Sequence, residues 1–546
     1  MNARGGWREL ALVALGFTAL AIAFTFPLAF NLGTIGRADN GDGQFSIWNV
    51  AWVARALILD PLHVFDANIF YPHRLTLTYS ESNLGAGALA VPVYWATRNP
   101  HAAHNFVLLV SFVLSGCAMY CLVRHLTADR RAAVVSGIVF AFCPYFRVHL
   151  PHIQLLMTAG IPLSALALHR VVEKPTPARG AALGLALALQ AYFCGYYCVF
   201  AALMVALGTL FFGAVRRVWS DRRYWMAIAV AAAVAVAAAA PVIYPYVAHQ
   251  QATGFSRSLA ATDQFAARAY SYRASLAYAH RWFAPGTNDW RDSLFPGFVA
   301  LGFGVAGIVA GRMNRRLRDI VAWYGGLAAL AFWASFGPAG GLYSVMYSTV
   351  PMFTFLRAPS RFGLIVDFAL AVLAGIGVSR FLDWQQRRAG VATVALVAVT
   401  VAELLAPNRF PPVPREDDGY RVLATLPPGP VLELPVYSRQ FAFVRERYML
   451  SSTVHWMPLI DAYSDYTPED FTANANALAT FPSGAAFAVL APMRARYAVV
   501  HVDKYDPAAR EALLQRLKEF APYLQQRYAG TELWLYEMTG FPSDAR

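Results

Sequence analysis

Eleven apolar runs, each near the length of a membrane-spanning helix, occupy the first 406 residues of this 546-residue chain. A helix needs about 20 apolar residues to cross the hydrocarbon of a bilayer. The pattern therefore predicts a polytopic α-helical membrane protein with about 11 transmembrane helices. The runs lie at 9–30, 104–123, 132–148, 153–169, 180–194, 197–214, 224–246, 295–311, 319–336, 361–379 and 390–406.

The composition supports this class. Hydrophobic residues make up 58% of the chain and charged residues only 14%, and the mean hydropathy is +0.42. A soluble domain normally carries about 25% charged residues. Because one aqueous core cannot hide so much apolar surface, lipid must be part of the solvent.

The net charge of +13 lies among the apolar runs. Residues 407–546 hold 14 Lys+Arg and 16 Asp+Glu, whereas the rest of the chain holds 31 and 16. Charge in this position is typical of topology-setting residues. A nucleic-acid-binding domain would instead show one basic face on a polar domain, so nucleic acid is not an expected partner.

Basic residues fall in every second connection, and this alternation predicts the topology, because cytoplasmic loops carry an excess of Lys and Arg. We expect the N-terminus inside, and the large loop 31–103 and everything beyond 407 outside. A short apolar segment at 84–97, containing Pro92, is expected to be re-entrant or interfacial. The basic connections hold Arg124, Arg130 and Arg131; Lys174 and Arg179; Arg216, Arg217, Arg222 and Arg223; Arg312, Arg315, Arg316 and Arg318; and Arg380, Arg387 and Arg388.

The sequence predicts two domains, a transmembrane domain at 1–406 and an extracytoplasmic domain at 407–546. A proline-rich linker at 407–414 separates them, and hydropathy then falls to values typical of globular proteins. We therefore expect the tail to be a small α/β domain. Its predicted elements are strands at 431–436, 497–502 and 532–538 and a helix at 508–524.

Two aspartates, Asp39 and Asp42, stand near the start of the first outer loop. Gly41 and Gly43 bracket Asp42, and glycine allows a ligand to approach the backbone closely. From Phe45 the pattern predicts an amphipathic helix in the membrane interface, with Phe45, Trp48, Trp52 and Leu59 on one face. The alternative is a solvated loop in which Asp42 caps that helix.

A second polar cluster, Arg147, His149 and His152, lies at the predicted outer end of two spans. Ionisable groups at a membrane edge are costly unless they are paired or functional. These residues suit a lipid phosphate or a carboxylate. The alternative is that Arg147 extends to headgroups while the histidines cap helix ends. In the first outer loop, His73 and Glu81 are candidates for ligand contact, with loop structure as the alternative.

A third cluster, Arg357 and Arg361, breaks the inside-positive pattern on the predicted outer side. Arginines at the start of a helix, beside its free N–H groups, suit an anionic group such as phosphate. A structural ion pair is the alternative. The loop 247–294 adds four arginines on the same side, Arg257, Arg268, Arg273 and Arg281.

The sequence contains no phosphate-binding glycine loop, zinc-spaced His/Cys set or nucleophile elbow. The elements together resemble the GT-C class of membrane glycosyltransferases, and more closely a bacterial group of GT-C-like proteins. The resemblance is carried by GDG at 41–43 with Trp48 and Trp52, NIFYP at 68–72, NP at 99–100 with Asn105, FAFCPYFRVHLPHIQ at 140–154 and RAPSRF at 357–362.

The resemblance implies an inverting transfer of a sugar from a polyprenyl-phosphate donor to a glycan, lipid or protein acceptor. The reaction would take place at the outer face of the bacterial cytoplasmic (inner) membrane. By position, Asp42 or Asp39 would be the catalytic base, and Arg357, Arg361 and Arg147 would hold the donor phosphate. Further candidate substrate contacts are His149, His152, His73, Glu81 and Trp48.

The family often has adjacent acidic residues or an acid-x-acid pair, whereas Asp39 and Asp42 are three apart. This spacing leaves open which aspartate is catalytic and whether the two hold a divalent cation, Mg or Mn. The alternative function is non-catalytic, in transport or assembly of lipid-linked glycans. Transporters usually place ionisable groups near the bilayer midplane, whereas here, Asp367 excepted, they crowd the predicted outer edge.

Overall fold

The computed structural model describes residues 3–38, 41–283, 293–437 and 439–542. The chain divides into two compact units. The helical unit comprises residues 1–31, 83–86 and 105–409, and the sheet unit comprises 32–82, 87–104 and 410–546. Most of the predicted outer loop 31–103 therefore belongs to the same unit as the C-terminal tail.

Every predicted apolar run contains an α-helix. The helices before the tail are α1 (Ala3–Phe24), α2 (Gly41–Leu59), α3 (Leu84–Thr97), α4 (Pro100–Thr127), α5 (Arg130–Ala141), α6 (Pro144–Val148), α7 (Ile153–Leu156), α8 (Gly160–Glu173), α9 (Pro177–Phe193), α10 (Gly195–Val215), α11 (Arg222–Thr253), α12 (Leu259–Asp263), α13 (Phe298–Arg312), α14 (Arg318–Ser335), α15 (Gly337–Gly340), α16 (Leu342–Thr349), α17 (Gly363–Gln385) and α18 (Ala389–Leu404). The tail holds α19 (Asp418–Thr425), α20 (Glu446–Ser451), α21 (Glu469–Ala479), α22 (Gly484–Leu490) and α23 (Pro507–Glu519).

Seven stretches of the described residues are helical, long and apolar enough to cross a membrane, so the chain is a multi-pass helical membrane protein. The number is below the 11 predicted runs, partly because the last stretch is 46 residues long and contains both α17 and α18. In addition, α13 has only 15 residues. The stretches are Gly6–Phe24, Pro100–Thr127, Arg130–Val148, Ile153–Glu173, Gly195–Val215, Arg222–Thr253 and Pro359–Leu404.

Glycines set the closest helix contacts of the helical unit. A Cβ atom on Gly307 of α13 or on Gly377 of α17 would overlap the backbone of the other helix. Gly180 and Gly184 of α9 lie equally close to the backbone of α11. Small residues that let two backbones meet are typical of helix packing in membranes, where van der Waals contact drives association.

Helix α2 differs from the predicted interfacial helix in two respects. It begins at Gly41, four residues before Phe45, so Asp42 lies within its first turn and is not its cap. It is also buried over most of its length, and Trp48 has no exposed surface. Its packing partner within the sheet unit is α20 of the tail. Trp48 and Trp52 of the predicted apolar face therefore contact protein, whereas Leu59 at the end of the helix is exposed.

The tail contains a mixed four-stranded sheet with strand order β1-β2-β4-β3. The strands are β1 (Val431–Leu434), β2 (Tyr497–His501), β3 (Leu524–Ala529) and β4 (Leu533–Met538). β1 pairs with β2 in parallel, and the other two pairings are antiparallel. Strand β3 was not predicted, because only Leu524 in it is buried and it lacks apolar alternation. The predicted helix 508–524 ends instead at Glu519.

Backbone hydrogen bonds join the first loop to the tail inside the sheet unit. The Gly36 N–H donates to the Pro411 carbonyl oxygen at 3.1 Å, and the Tyr71 N–H donates to that of Leu459 at 2.8 Å. The Leu459 N–H donates to the Asn68 carbonyl oxygen at 2.9 Å. The loop is therefore part of the fold of the tail.

Candidate functional site

Asp42 is exposed in the first turn of α2. The free N–H groups at the start of a helix favour a negative charge at this position. Because the rest of α2 is largely buried, the helix holds this carboxylate firmly. Asp39, the other predicted catalytic residue, lies outside the described residues.

The carboxyl group of Glu446, at the start of α20, lies directly against the backbone of α2. A Cβ atom on Gly41 would overlap this carboxyl group, so the close approach requires glycine. Glu446 is only 1% exposed, and its Oε2 has no hydrogen-bond partner among the described residues. Burial, together with the smaller effect of the nearby negative charge of Asp42, raises the pKa of Glu446 to about 9. At pH 7 Glu446 is therefore neutral.

A histidine also lies beside α2. His104 is fully buried, and its Nε2 lies 3.2 Å from the Oγ of Ser46, which follows Asp42 by about one helical turn. Neither Glu446 nor His104 was identified by sequence reasoning. Glu446 carries no motif, and its sequence neighbours do not signal that α20 packs on the first loop. Only the tertiary fold brings it to Asp42.

Three predicted contact residues of the first loop have structural partners. The Trp48 Nε1 donates to the Asn68 Oδ1 at 3.1 Å, and this fully buried indole is positioned as an anchor for α2. His73 lies 3.0 Å from the Asp470 carboxylate, a partly exposed ion pair when the histidine is protonated. The Glu81 carbonyl oxygen accepts a hydrogen bond from Asn49, and its side chain is half-buried.

In the helical unit, Arg357 and Arg361 meet at one tyrosine, Tyr196 of α10. Arg361 is 4% exposed, and its guanidinium lies 4.2 Å from the centroid of the Tyr196 ring. The Arg357 N–H donates to the Tyr196 hydroxyl, and the Arg357 guanidinium lies 5.1 Å from the Phe265 ring. Arg357 and Arg361, which the sequence predicted from one motif, thus both contact Tyr196, which the sequence did not single out.

Arg147 is also buried, but its guanidinium points at protein oxygens. It donates to the carbonyl oxygens of Phe24 and Pro407, each at 3.0 Å, and to the Asn408 Oδ1. These bonds tie the end of α1 to the linker after α18. The arrangement favours a structural role over binding of the donor phosphate.

The two predicted histidines of the second cluster lie beside each other, with ring centroids 5.9 Å apart. His149 is fully buried, stacks on Tyr145 at 4.1 Å, and its Nδ1 lies 2.8 Å from the Tyr145 carbonyl oxygen. The Tyr145 hydroxyl lies 2.9 Å from that of Tyr197. His149 is thus packed among aromatic groups, whereas His152 is half-buried.

The remaining arginines of the predicted outer basic group do not form one open face. Arg268 pairs with Asp263 at 3.0 Å. The other three lie over aromatic rings, with Arg257 against Phe255, Arg273 against Phe283 and Arg281 against Tyr278. These contacts indicate that the four arginine side chains stabilise the loop.

No group of three or more His, Cys, Asp or Glu side chains suited to a metal ion occurs within the described residues. Asp39, the other predicted ligand of a divalent ion, lies outside the described residues.

No protein-family model matches the sequence, and no curated protein matches it. Solved structures do match. ArnT from Cupriavidus metallidurans, bound to undecaprenyl phosphate, superposes with a TM-score of 0.50 at 12% identity, and the match covers 98% of each chain. The arabinofuranosyltransferase AftD from Mycobacteria superposes with a TM-score of 0.56 at 15% identity.

The AftD match covers 98% of this chain but only 41% of AftD, so the chain spans less than half the length of that relative. At these identities the likeness concerns the fold. It extends over both units, from the first helix to the C-terminal sheet. The chain therefore has the fold of the GT-C class of membrane glycosyltransferases.

Proposed function

We propose that the protein is a membrane glycosyltransferase that moves a sugar from a polyprenyl-phosphate donor to a hydroxyl group of a glycan, lipid or protein. In this proposal the protein crosses a bacterial inner membrane 11 times, with its N-terminus in the cytoplasm and its C-terminal tail on the outer face. The GT-C fold supports the class of enzyme. The undecaprenyl phosphate bound by ArnT supports the class of donor.

The observation that carries the proposal is the Asp42 carboxylate, exposed at the start of a buried helix. In the proposed step Asp42 accepts the proton of the acceptor hydroxyl while the acceptor oxygen bonds to the anomeric carbon. The bond from that carbon to the phosphate oxygen breaks, and its electron pair leaves with the polyprenyl phosphate. A neutral Glu446 supports this role, because Asp42 then faces no second negative charge.

Arg357 and Arg361 are the proposed partners of the donor phosphate. A phosphate leaving group needs charge stabilisation more than it needs a proton. Arginine supplies a permanent charge and a planar fork of donors that matches phosphate oxygens. The Arg361 guanidinium lies over the Tyr196 ring and the Arg357 backbone N–H binds the Tyr196 hydroxyl, which supports a preorganised arrangement of the two residues.

The test is transfer by the purified protein, supplied with polyprenyl-phosphate sugars and candidate acceptors. We expect Asp42→Asn to lower the transfer rate by about 10²–10⁴, the usual contribution of a positioned base. The matched control is Asp60→Asn, which changes an exposed aspartate beyond the other end of α2. Asp39→Asn and the double variant test the alternative base.

Wild-type transfer that survives both single changes and the double change would contradict the assignment of the base. Binding of lipid-linked glycan without any transfer, across the sugars and acceptors tried, would instead favour the non-catalytic alternative. Equal losses in Asp42→Asn and Asp60→Asn would point to a general effect of charge in the loop.

A further inference from the structure

One end of the helical unit contains a cavity of about 670 Å³. It forms where α4 ends, α5 begins, α13 connects to α14, and α17 approaches its last turns. Five arginines from these segments line it, together with apolar residues that include Leu126, Leu317 and Ile376. The arginines are Arg124, Arg130, Arg131, Arg316 and Arg380.

The acidic groups near this cavity do not neutralise its arginines. Arg124 and Arg130 share one carboxylate, that of Glu9, at 3.1 and 2.6 Å. Arg131 pairs with Asp129 and Arg380 with Asp383, each at 3.4 Å and with arginine side chains more than 40% exposed. Exposed pairs of this kind are weak and screened. Asp129 is further engaged, because it also accepts the N–H groups that begin α5.

Arg316 and Arg315 lie beside the cavity without any carboxylate partner among the described residues. A second cavity of about 420 Å³ adjoins the first and shares Leu126, Arg316 and Leu317 with it. Its other charged groups are already paired, Arg216 with Asp319 at 2.6 Å and His125 with Glu173 at 3.0 Å. Arg316 lines both cavities, Arg315 lines the second, and both arginines are exposed.

The setting matches that of a lipid headgroup. Arg124 and Arg130 lie at the ends of two candidate spans, so the cavity stands at the edge of the proposed bilayer. The apolar residues in its wall suit the part of a lipid next to the headgroup. The five arginines come from four segments of the chain, so the fold brings their charge together around one cavity.

We propose that this cavity binds the phosphate-bearing headgroup of an anionic phospholipid. Arginine forms bidentate, charge-assisted hydrogen bonds with phosphate oxygens. Basic pockets between membrane helices on the cytoplasmic side are suited to anionic headgroups. Neither Asp42 nor Arg361 lines the cavity, and the proposal does not depend on the proposed transferase activity.

The test measures lipid binding by the full-length protein. The protein is purified in detergent and mixed with phosphatidylglycerol, cardiolipin or phosphatidylcholine. Native mass spectrometry counts the bound lipids. We expect both anionic lipids to bind and phosphatidylcholine not to. The double variant Arg315→Ala with Arg316→Ala should weaken anionic-lipid binding by about 30-fold, which corresponds to roughly 1 kcal/mol for each arginine.

The matched control is Arg387→Ala with Arg388→Ala, an exposed arginine pair on the same predicted side that lines neither cavity. We expect it to bind anionic lipid like the wild type. Arg316→Lys keeps the charge and should retain most of the binding, and a melting temperature for each variant reports folding. Equal losses in the two double variants, or no loss in either, would overturn the proposal. So would displacement of the lipid by millimolar inorganic phosphate, which would indicate a site for soluble phosphate.

Discussion

Asp42 and Glu446 show how surroundings set the charge of two neighbouring carboxyl groups. Glu446 is buried, and its carboxyl group lies against the backbone of Gly41. The next residue, Asp42, is exposed. Burial disfavours a charged carboxylate, so the proton stays on Glu446. The exposed group can then act as a base while the buried one fills the space behind it.

The buried carboxyl group predicts a pH dependence of stability. The pKa of Glu446 is about 9 in the folded protein and 4.5 is its ordinary value, so the folded state binds this proton more tightly. Its contribution is fully present below about pH 4.5 and is lost as pH rises through about 9. We expect the melting temperature of the wild type in detergent to fall more steeply towards pH ~9 than that of Glu446→Gln. Parallel curves for the two proteins would contradict the neutral state of Glu446.

The contact at Gly41 predicts a steric effect. An Ala side chain there would overlap the Glu446 carboxyl group, so we expect Gly41→Ala to destabilise the protein by about 1–3 kcal/mol. The control is Gly484→Ala in α22, where an added Cβ meets no atom within 4 Å. Thermal unfolding of both variants in detergent measures the difference. A Gly41→Ala protein as stable as the control would show that α20 does not pack on α2 in this way.

At the scale of elements, Glu403 joins two helices and a loop of the helical unit. It lies at the end of α18, and its two oxygens accept the first N–H groups of α13, those of Phe298 and Val299. The buried His280 ring lies 3.0 Å from the same carboxylate. One side chain thus caps α13 and fixes the loop before it, which satisfies donors that would otherwise be buried without partners.

Loss of this cap should be costly. We expect Glu403→Ala to destabilise the protein by about 3 kcal/mol or more, because it removes the partner of the buried His280 Nε2 and of two backbone N–H groups. The control, Glu173→Ala, removes the partner of His125 in a more exposed pair and should cost less than about 1 kcal/mol. Denaturation followed by tryptophan fluorescence measures both, and equal effects would contradict the capping role.

The helices could be predicted from sequence because hydropathy reports burial in lipid directly. The partners of the helices could not. The face of Trp48 and Trp52 has the same pattern whether it meets lipid or protein, and in the structure it meets protein. Strand β3 was not predicted because it is an edge strand with mostly exposed, polar side chains. Such a strand lacks the apolar alternation by which strands are recognised in a sequence.

At the scale of the whole molecule, the first loop and the tail fold as one unit. Sequence reasoning placed Asp42 and Arg361 in functional clusters from local motifs. It missed Glu446 and Tyr196, because each lies far along the chain from the residue it contacts and carries no motif of its own. Local chemistry can be recognised in a sequence, whereas the second residue of a tertiary contact can be found only from the fold.

Asn68 is a central link within this unit. Its side chain accepts from the Trp48 Nε1 and donates to the Ser452 Oγ and the Met457 carbonyl oxygen, each at 3.1 Å. We expect Asn68→Ala to cost about 2–3 kcal/mol, because the buried partners lose their bonds. Asn314→Ala, in an exposed connection of the helical unit, is the control. We expect limited proteolysis to cut the tail faster in Asn68→Ala than in the wild type or in Asn314→Ala. Cleavage of Asn68→Ala at the wild-type rate would contradict the role of Asn68 in joining the first loop to the tail.

The distance along the chain between these partners has a consequence for biosynthesis. Ser452 follows Asn68 by 384 residues, and Glu446 belongs to the same late segment. During synthesis the loop with Asp42 emerges early but lacks its packing partners until the tail has been made and has folded. A truncated or incompletely inserted chain therefore carries the carboxylate without its support, and only the finished protein holds Asp42 in place.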